Sequence, residues 1–200
     1  MVLKICGITN PEDAAAAVEG GATAIGFNFW PRSPRYIAPD EAARILSREG
    51  IRRVGVFVNE APVRVEEIAR LVRLDVAQLH GDENPASYPA GLNVWKAVRV
   101  TAGFDFSVYD DSPAEALVLD GPAGELYGGS GQTFDWGLAA VVRKRIILAG
   151  GLDGSNVARA ISAAHPWGVD ACSRLESAPG KKDHRKMNEF LQAAKAALRA

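Results

Sequence analysis

Short strand-like apolar runs recur along this chain at intervals of roughly 20 to 30 residues. They read VLKICGI, AIGFNF, RRVGVFVN, VAQLHG, NVWKAVRV, ALVLDG, RIILAGG and GVDACS, eight in all. Helix signals lie between most of them. Asn10 followed by Pro11, Glu12 and Asp13 forms a cap and an acidic first turn, with Gly20 and Gly21 as the stop. Pro39, Asp40 and Glu41 start a second helix, and Pro62 starts a third whose Val65, Ile68, Leu71 and Val72 keep one face apolar. Ser155 caps a helix carrying Val157 and Ile161, while Met187, Phe190, Leu191, Ala194 and Leu198 keep helical spacing near the end. Strand then helix, repeated without a shift in composition, predicts parallel strands joined by helical crossovers. Eight such units close into an α/β fold of the (β/α)8 TIM-barrel type, one domain over residues 1–200. The structural alternative, an open doubly wound sheet, lacks its glycine-rich fingerprint after the first strand. After the fourth and fifth runs, DENPASYPAG and TAGFDFSVYDDSPA place proline or glycine where a helix would run, so short or irregular helices are expected there.

Charge narrows the function classes. Lys plus Arg, 23, nearly cancel Asp plus Glu, 24, and no block of one sign appears, which argues against a nucleic-acid or anionic-lipid surface. Any bound anion is expected to be small. No run of about 18 uncharged apolar residues occurs and no signal-peptide pattern precedes Val2, so a cytoplasmic protein with no membrane segment is expected. Cys6 and Cys172 lie almost a chain apart, with neither metal-ligand spacing nor a disulfide framework, and reduced thiols are expected.

In a parallel barrel the active site is built at the carboxyl ends of the strands. Cys6, Asn28, Asn59, His80, Arg99, Asp120, Gly150, Gly151, Asp170 and Ser173 fall there. Alternation puts Lys4 with Cys6, Gln78 with His80, and Asp170 with Cys172 on common strand faces. Cys6 alone reads either as a small buried hydrophobe or as a reactive thiol. Asp120, directly after an apolar run, is a ligand or acid unless it caps the next segment. The clusters YGGSGQTFDW and AGGLDGSN let backbone approach an anion, although GGSG is equally a flexible turn, and Gly150 with Gly151 are the better phosphate candidates. Arg35 sits in WPRSPRYI, a proline-stiffened loop suited to holding a guanidinium for a carboxylate, or is a solvated surface arginine.

Taken in order, KICGIT, GFNFWPRSPRYI, RVGVFVN, VAQLHGDE, LVLDG, GGSGQTFDW, LAGGL and PGKKD resemble the phosphoribosylanthranilate isomerase family of tryptophan biosynthesis, from the first strand to the last loop. The resemblance implies a barrel isomerase without metal or organic cofactor, monomeric or homodimeric. Its substrate would be a small phosphosugar, rearranged by Amadori chemistry. It implies Cys6 as general base and Asp120 as general acid, Arg35 on the anthranilate carboxylate, and His80 and Asp170 lining the site. Phosphate would fall to Gly150, Gly151 and the loop from Ser173. Two positions depart from the family pattern: Cys172 replaces a serine, and Arg174 stands where glycine is usual and either hinders phosphate or adds a guanidinium to it. As a base Cys6 must be a thiolate, and Lys4, able to pair with Asp170 across the closed barrel, is the expected cation. Two other functions fit a barrel. A phosphosugar-binding module would need no acid and base, and an isomerase of a histidine-pathway aminoimidazole resembles paired aspartates in two similar halves, which this sequence lacks.

Overall fold

The computed structural model describes residues 1–45, 49–101, 103–121 and 133–198. Eight parallel strands follow one another around a closed barrel. They are β1 (Val2–Ile5), β2 (Ala24–Asn28), β3 (Arg52–Phe57), β4 (Val76–Leu79), β5 (Asn93–Arg99), β6 (Ala116–Asp120), β7 (Arg145–Leu148) and β8 (Gly168–Ala171). The ring shuts between first and last, where Val2 pairs with Gly168 and Lys4 with Asp170. Gly168 permits that approach, since a Cβ there would lie 2.7 Å from the Cβ of Val2.

Helices α1 (Pro11–Gly20), α2 (Pro39–Arg44), α3 (Pro62–Val72), α4 (Val157–Ala164) and α5 (His184–Ala197) cover the outside. In α1, Asn10 accepts from the Asp13 amide and Gly21 closes the end at φ +94°, as the sequence signals require. After β4 and β5 only single 3-10 turns form, Pro85–Ser87 and Phe106–Tyr109, which matches the proline and glycine content there. Another 3-10 segment, Trp136–Val141, precedes β7.

Three local expectations are corrected. Ser155 does not cap α4: its hydroxyl donates to Asp153, leaving Asn156 at the cap position. Leu71 is exposed on α3, because the neighbouring Ile68 and Val72 take the inward face. Leu198 is likewise exposed, at the C-cap of α5, whose Met187, Phe190, Leu191 and Ala194 are buried. A small antiparallel ladder, not expected from periodicity, lies between β8 and α5 and is formed by β9 (Glu176–Ala178) and β10 (Lys181–Lys182).

Alternation along the strands divides the molecule into two cores. Outward residues such as Leu3, Ile5, Leu117 and Leu119 pack beneath Phe190 and Leu191 of α5 and the other helices. Each such side chain contributes about 1.5–3 kcal/mol by leaving water. Inward residues Val2, Val54, Val76, Trp95, Ala116 and Ile147 plug the amino-terminal end of the barrel, with the Trp95 ring edge-on to Trp167 at 5.9 Å. Going toward the carboxyl ends, the same inward stripes turn polar: Val2 gives way to Lys4 and Cys6, Val76 to Gln78 and His80, and Gly168 to Asp170 and Cys172. The apolar plug therefore leaves one polar mouth.

Candidate active site

That mouth encloses a cavity of about 280 Å³. Cys6 reaches it from just past β1, Arg35 from the loop after β2, His80 from the end of β4, Asp120 from β6 and Asp170 from β8. Gly150 and Gly151 line it from the loop after β7, and Ser173 and Arg174 from the segment after β8. Two polar residues grouped with these at the strand ends do not line it. Asn59, at φ +52°, turns its side chain to accept from the Asp82 amide, and Arg99 faces a neighbouring cavity with Lys96 and Tyr109. Gly128, Gly129 and Gly131 of the YGGSGQTFDW cluster lie outside the described residues.

Beneath the cavity, Lys4 is fully buried with Nζ 2.6 Å from Asp170 Oδ2. Burial opposes its charge, but the pull of Asp170 and of Cys6 outweighs this and raises the Lys4 pKa. Asp170 is pushed up to about 7 by burial, against the pull of Lys4 and with further repulsion from Cys6 and Asp120. The Cys6 thiol is held well below the ordinary thiol range. A hydrogen bond from Cys172 is the largest cause, and the charges of Lys4 and Lys182 add to it against the opposing effect of burial. Alternation thus located one contributor, Lys4, and missed the larger one. Lys4→Met is expected to move the Cys6 ionisation to higher pH in a thiol titration, and an unmoved titration would contradict the arrangement. The variant also strands Asp170 without its cation, which costs about 3–5 kcal/mol for a buried pair.

Across the barrel, His80 Nε2 lies 3.5 Å from Asp120 Oδ2 and His80 Nδ1 lies 3.3 Å from Gln78 Nε2. Gln78 and Asp120 thus hold the His80 ring between them, with Nε2 turned toward the carboxyl group of β6. Among the described residues, His80 Nε2, Gln78 Oε1 and Asp170 Oδ1 are buried without a hydrogen-bond partner, and all three residues line the cavity. Each unmet buried polar atom costs about 1–3 kcal/mol, and such a cluster around one cavity marks a place where a polar ligand supplies the missing partners.

Arg35 is no solvated surface residue. Its Nε lies 2.9 and 3.1 Å from the two Glu176 oxygens and its Nη2 lies 2.8 Å from Oε2, a forked ion pair. Glu176 also takes Lys182 Nζ at 3.0 Å, and Lys182 is fully buried at its side chain. Neither Glu176 nor Lys182 was singled out as a site residue from the sequence, although Lys182 lies in PGKKD, because the ladder that brings them beside Arg35 and Cys172 has no periodic signature. Gly7 fits only as glycine: at φ +71°, a Cβ would meet Cys172 Sγ at 2.9 Å and Arg35 Cδ at 3.0 Å.

Gly150 and Gly151 take φ +76° and +64°, and the turn they make is pinned by Asn156, whose Nδ2 donates to the Gly151 carbonyl at 2.8 Å. Arg174 Nη1 meets Asp153 Oδ2 at 2.8 Å, tying the loops after β7 and β8 together. The rim at this end therefore combines backbone free to approach an anion with a guanidinium already partly neutralised. Among the described residues, no group of His, Cys, Asp and Glu side chains is arranged to hold a metal ion.

Residues 3–193 match the family model described as N-(5'phosphoribosyl)anthranilate (PRA) isomerase. This chain belongs to the phosphoribosylanthranilate isomerase family. An N-(5'-phosphoribosyl)anthranilate isomerase of Solibacter usitatus is 70% identical over 200 residues, covering 100% of both chains. Among solved structures, the phosphoribosylanthranilate isomerase of Thermotoga maritima superposes with a TM-score of 0.90 at 41% identity, covering 98% of this chain and 100% of that one. A phosphoribosylanthranilate isomerase in complex with reduced 1-(o-carboxyphenylamino)-1-deoxyribulose 5-phosphate superposes at 0.86, with 39% identity and coverage of 98% and 100%. Family membership and barrel fold thus agree over nearly the whole chain, and the polar mouth stands where barrel enzymes place their chemistry.

Proposed function

We propose that this chain, as one barrel domain over residues 1–200, converts N-(5-phosphoribosyl)anthranilate into 1-(2-carboxyphenylamino)-1-deoxyribulose 5-phosphate in tryptophan biosynthesis, with Cys6 as general base and Asp120 as general acid. The observation that carries the reading is the pairing, within one cavity, of a thiol biased toward thiolate with a carboxyl group from β6. Asp120 delivers a proton to the ring oxygen as the bond from that oxygen to carbon 1 breaks, leaving a Schiff base to the anthranilate nitrogen. Cys6 takes the proton from carbon 2, and the electron pair of that bond moves toward nitrogen to give an enaminol. Transfer of the hydroxyl proton from oxygen 2 to carbon 1 then yields the ketone. One acid and one base suffice, and proton transfer of this kind is worth about 10²–10⁴-fold in rate for each positioned group.

The substrate's two anionic ends match the two cationic rims. Arg35 takes the anthranilate carboxylate, competing with Glu176 for the guanidinium. Gly150, Gly151, Ser173 and Arg174 receive the phosphate through backbone amides and the guanidinium, and His80 and Asp170 offer their unpartnered atoms to the sugar. The relative's complex supports this reading, since its ligand carries both a carboxyphenyl group and a phosphate. Arg35→Ala is expected to raise KM about 10- to 100-fold, the worth of a hydrogen bond to a charged group, with a smaller change in kcat. Steady-state kinetics with KM unchanged would remove Arg35 from substrate recognition.

The activity itself is tested by following the fluorescence of phosphoribosylanthranilate with purified protein. Fluorescence that decays at an enzyme-dependent rate is expected. Tight binding of the substrate without turnover would replace the isomerase by a phosphosugar-binding module.

A further inference from the structure

Cys172 carries the chain's second thiol and has no part in the chemistry above. The β1–β8 register that sets Lys4 beside Asp170 and Ile5 beside Ala171 brings Cys6 beside Cys172 one step further on, with the Cys6 amide donating to the Ala171 carbonyl at 3.0 Å. Both side chains face the cavity. Behind Cys172, Lys182 Nζ lies 3.6 Å from its sulfur and 3.3 Å from its carbonyl oxygen. An ammonium has only protons to give, so the sulfur accepts from Lys182 and its own S–H is left to donate. Among the described residues, the acceptors within its reach are Cys6 Sγ, across the β1–β8 seam, and Glu176 Oε1 at 3.9 Å, which already receives Arg35, Lys182 and the Gly180 amide. We propose that Cys172 is a positioning residue for the base: its S–H, polarised by Lys182, donates to Cys6 Sγ and keeps the proton of the thiol pair, so that Cys6 meets the substrate as a thiolate.

Cations lie near both sulfurs: Lys4 and Lys182 favour ionisation of Cys6, and Lys182 and Arg35 favour that of Cys172. With positive charge beside each, the direct hydrogen bond between them sets which sulfur keeps the proton. In keeping with this, Cys172 is pushed well above the ordinary thiol range, first by its bond to Cys6 and then by burial. Serine, the residue the family resemblance expects here, also donates a hydroxyl, so Cys172→Ser is the conservative control.

The proposal builds on Cys6 as the base, but its test reads ionisation directly. The chain has only two cysteines, so Cys172→Ala leaves Cys6 as the sole thiol and thiolate absorbance then reports Cys6 alone. The expected result is a Cys6 ionisation moved to higher pH in Cys172→Ala and close to wild type in Cys172→Ser. The acid limb of kcat/KM moves with it, costing about tenfold or more on the acid side, the worth of a hydrogen bond to a charged group, and recovering at higher pH with KM unchanged. Cys6→Ala gives the reciprocal reading, since Cys172 without a thiolate beside it should ionise at lower pH than in the wild type. Unmoved ionisation in both single-cysteine variants overturns the proposal. Full activity of Cys6→Ser would instead refute the base assignment and leave the ionisation result standing.

Discussion

Cys6→Ser is expected to lower kcat by about 10²–10⁴-fold while the barrel stays folded, because the substitution removes a positioned general base and almost nothing else. Cys6 lines the cavity with 9% of its surface exposed, and serine is close to it in shape, so the β1–β8 seam needs no rearrangement. What serine cannot do is ionise. A hydroxyl in the same field keeps its proton, and the carbon 2 proton then has no acceptor of adequate basicity. KM should move little, since binding is assigned to the carboxylate and phosphate ends. The pH dependence follows in sign. The folded-state pKa of Cys6 is depressed, so its stabilising contribution is present above the unfolded thiol pKa and is lost as pH falls through the folded value. Activity should fall over the same acid range, and the serine variant should lose that limb.

Asp120→Asn is expected to produce a loss of similar size, again in kcat. The carboxyl ends β6 with 6% of its surface exposed, and asparagine preserves its shape and its contact with His80. An amide can donate a hydrogen bond to the ring oxygen but cannot transfer the proton, so the furanose stays closed. Binding of an unreactive product analogue should survive, since a neutral amide adds no charge beside the phosphate. Turnover near that of the wild type, measured by the same fluorescence decay, would take Asp120 out of the acid role.

Much of the architecture was legible because it depends on periodicity. Eight apolar runs, most of them separated by helix signals and lacking the fingerprint of a doubly wound sheet, pointed to a closed parallel barrel, and alternation along β1 and β8 with closure of the ring placed Lys4 against Asp170. The same alternation, combined with the rule that barrel chemistry sits at strand ends, drew Cys6, His80, Asp120 and Asp170 to one cavity. Features set by tertiary closure were out of reach. The forked Arg35–Glu176 pair joins residues far apart in the chain through a ladder with no repeating pattern, and Arg174 meets Asp153 only because two loops converge. Leu71 and Leu198 fit helical spacing yet face solvent, since spacing fixes which residues share a face and not how wide a strip the barrel covers. Ser155 is a good cap by composition, but the nearby Asp153 carboxylate claims its hydroxyl.

The central claim is that an ionised Cys6 removes a proton from the substrate within a folded barrel. It is tested most directly by measuring kcat/KM for phosphoribosylanthranilate across the acid range beside a titration of the Cys6 thiolate in the same protein. The account predicts that the rate rises with pH in step with thiolate formation, and that both curves move together in Lys4→Met. A rate that stays flat through the Cys6 ionisation, or that keeps its acid limb when the titration moves, would contradict it.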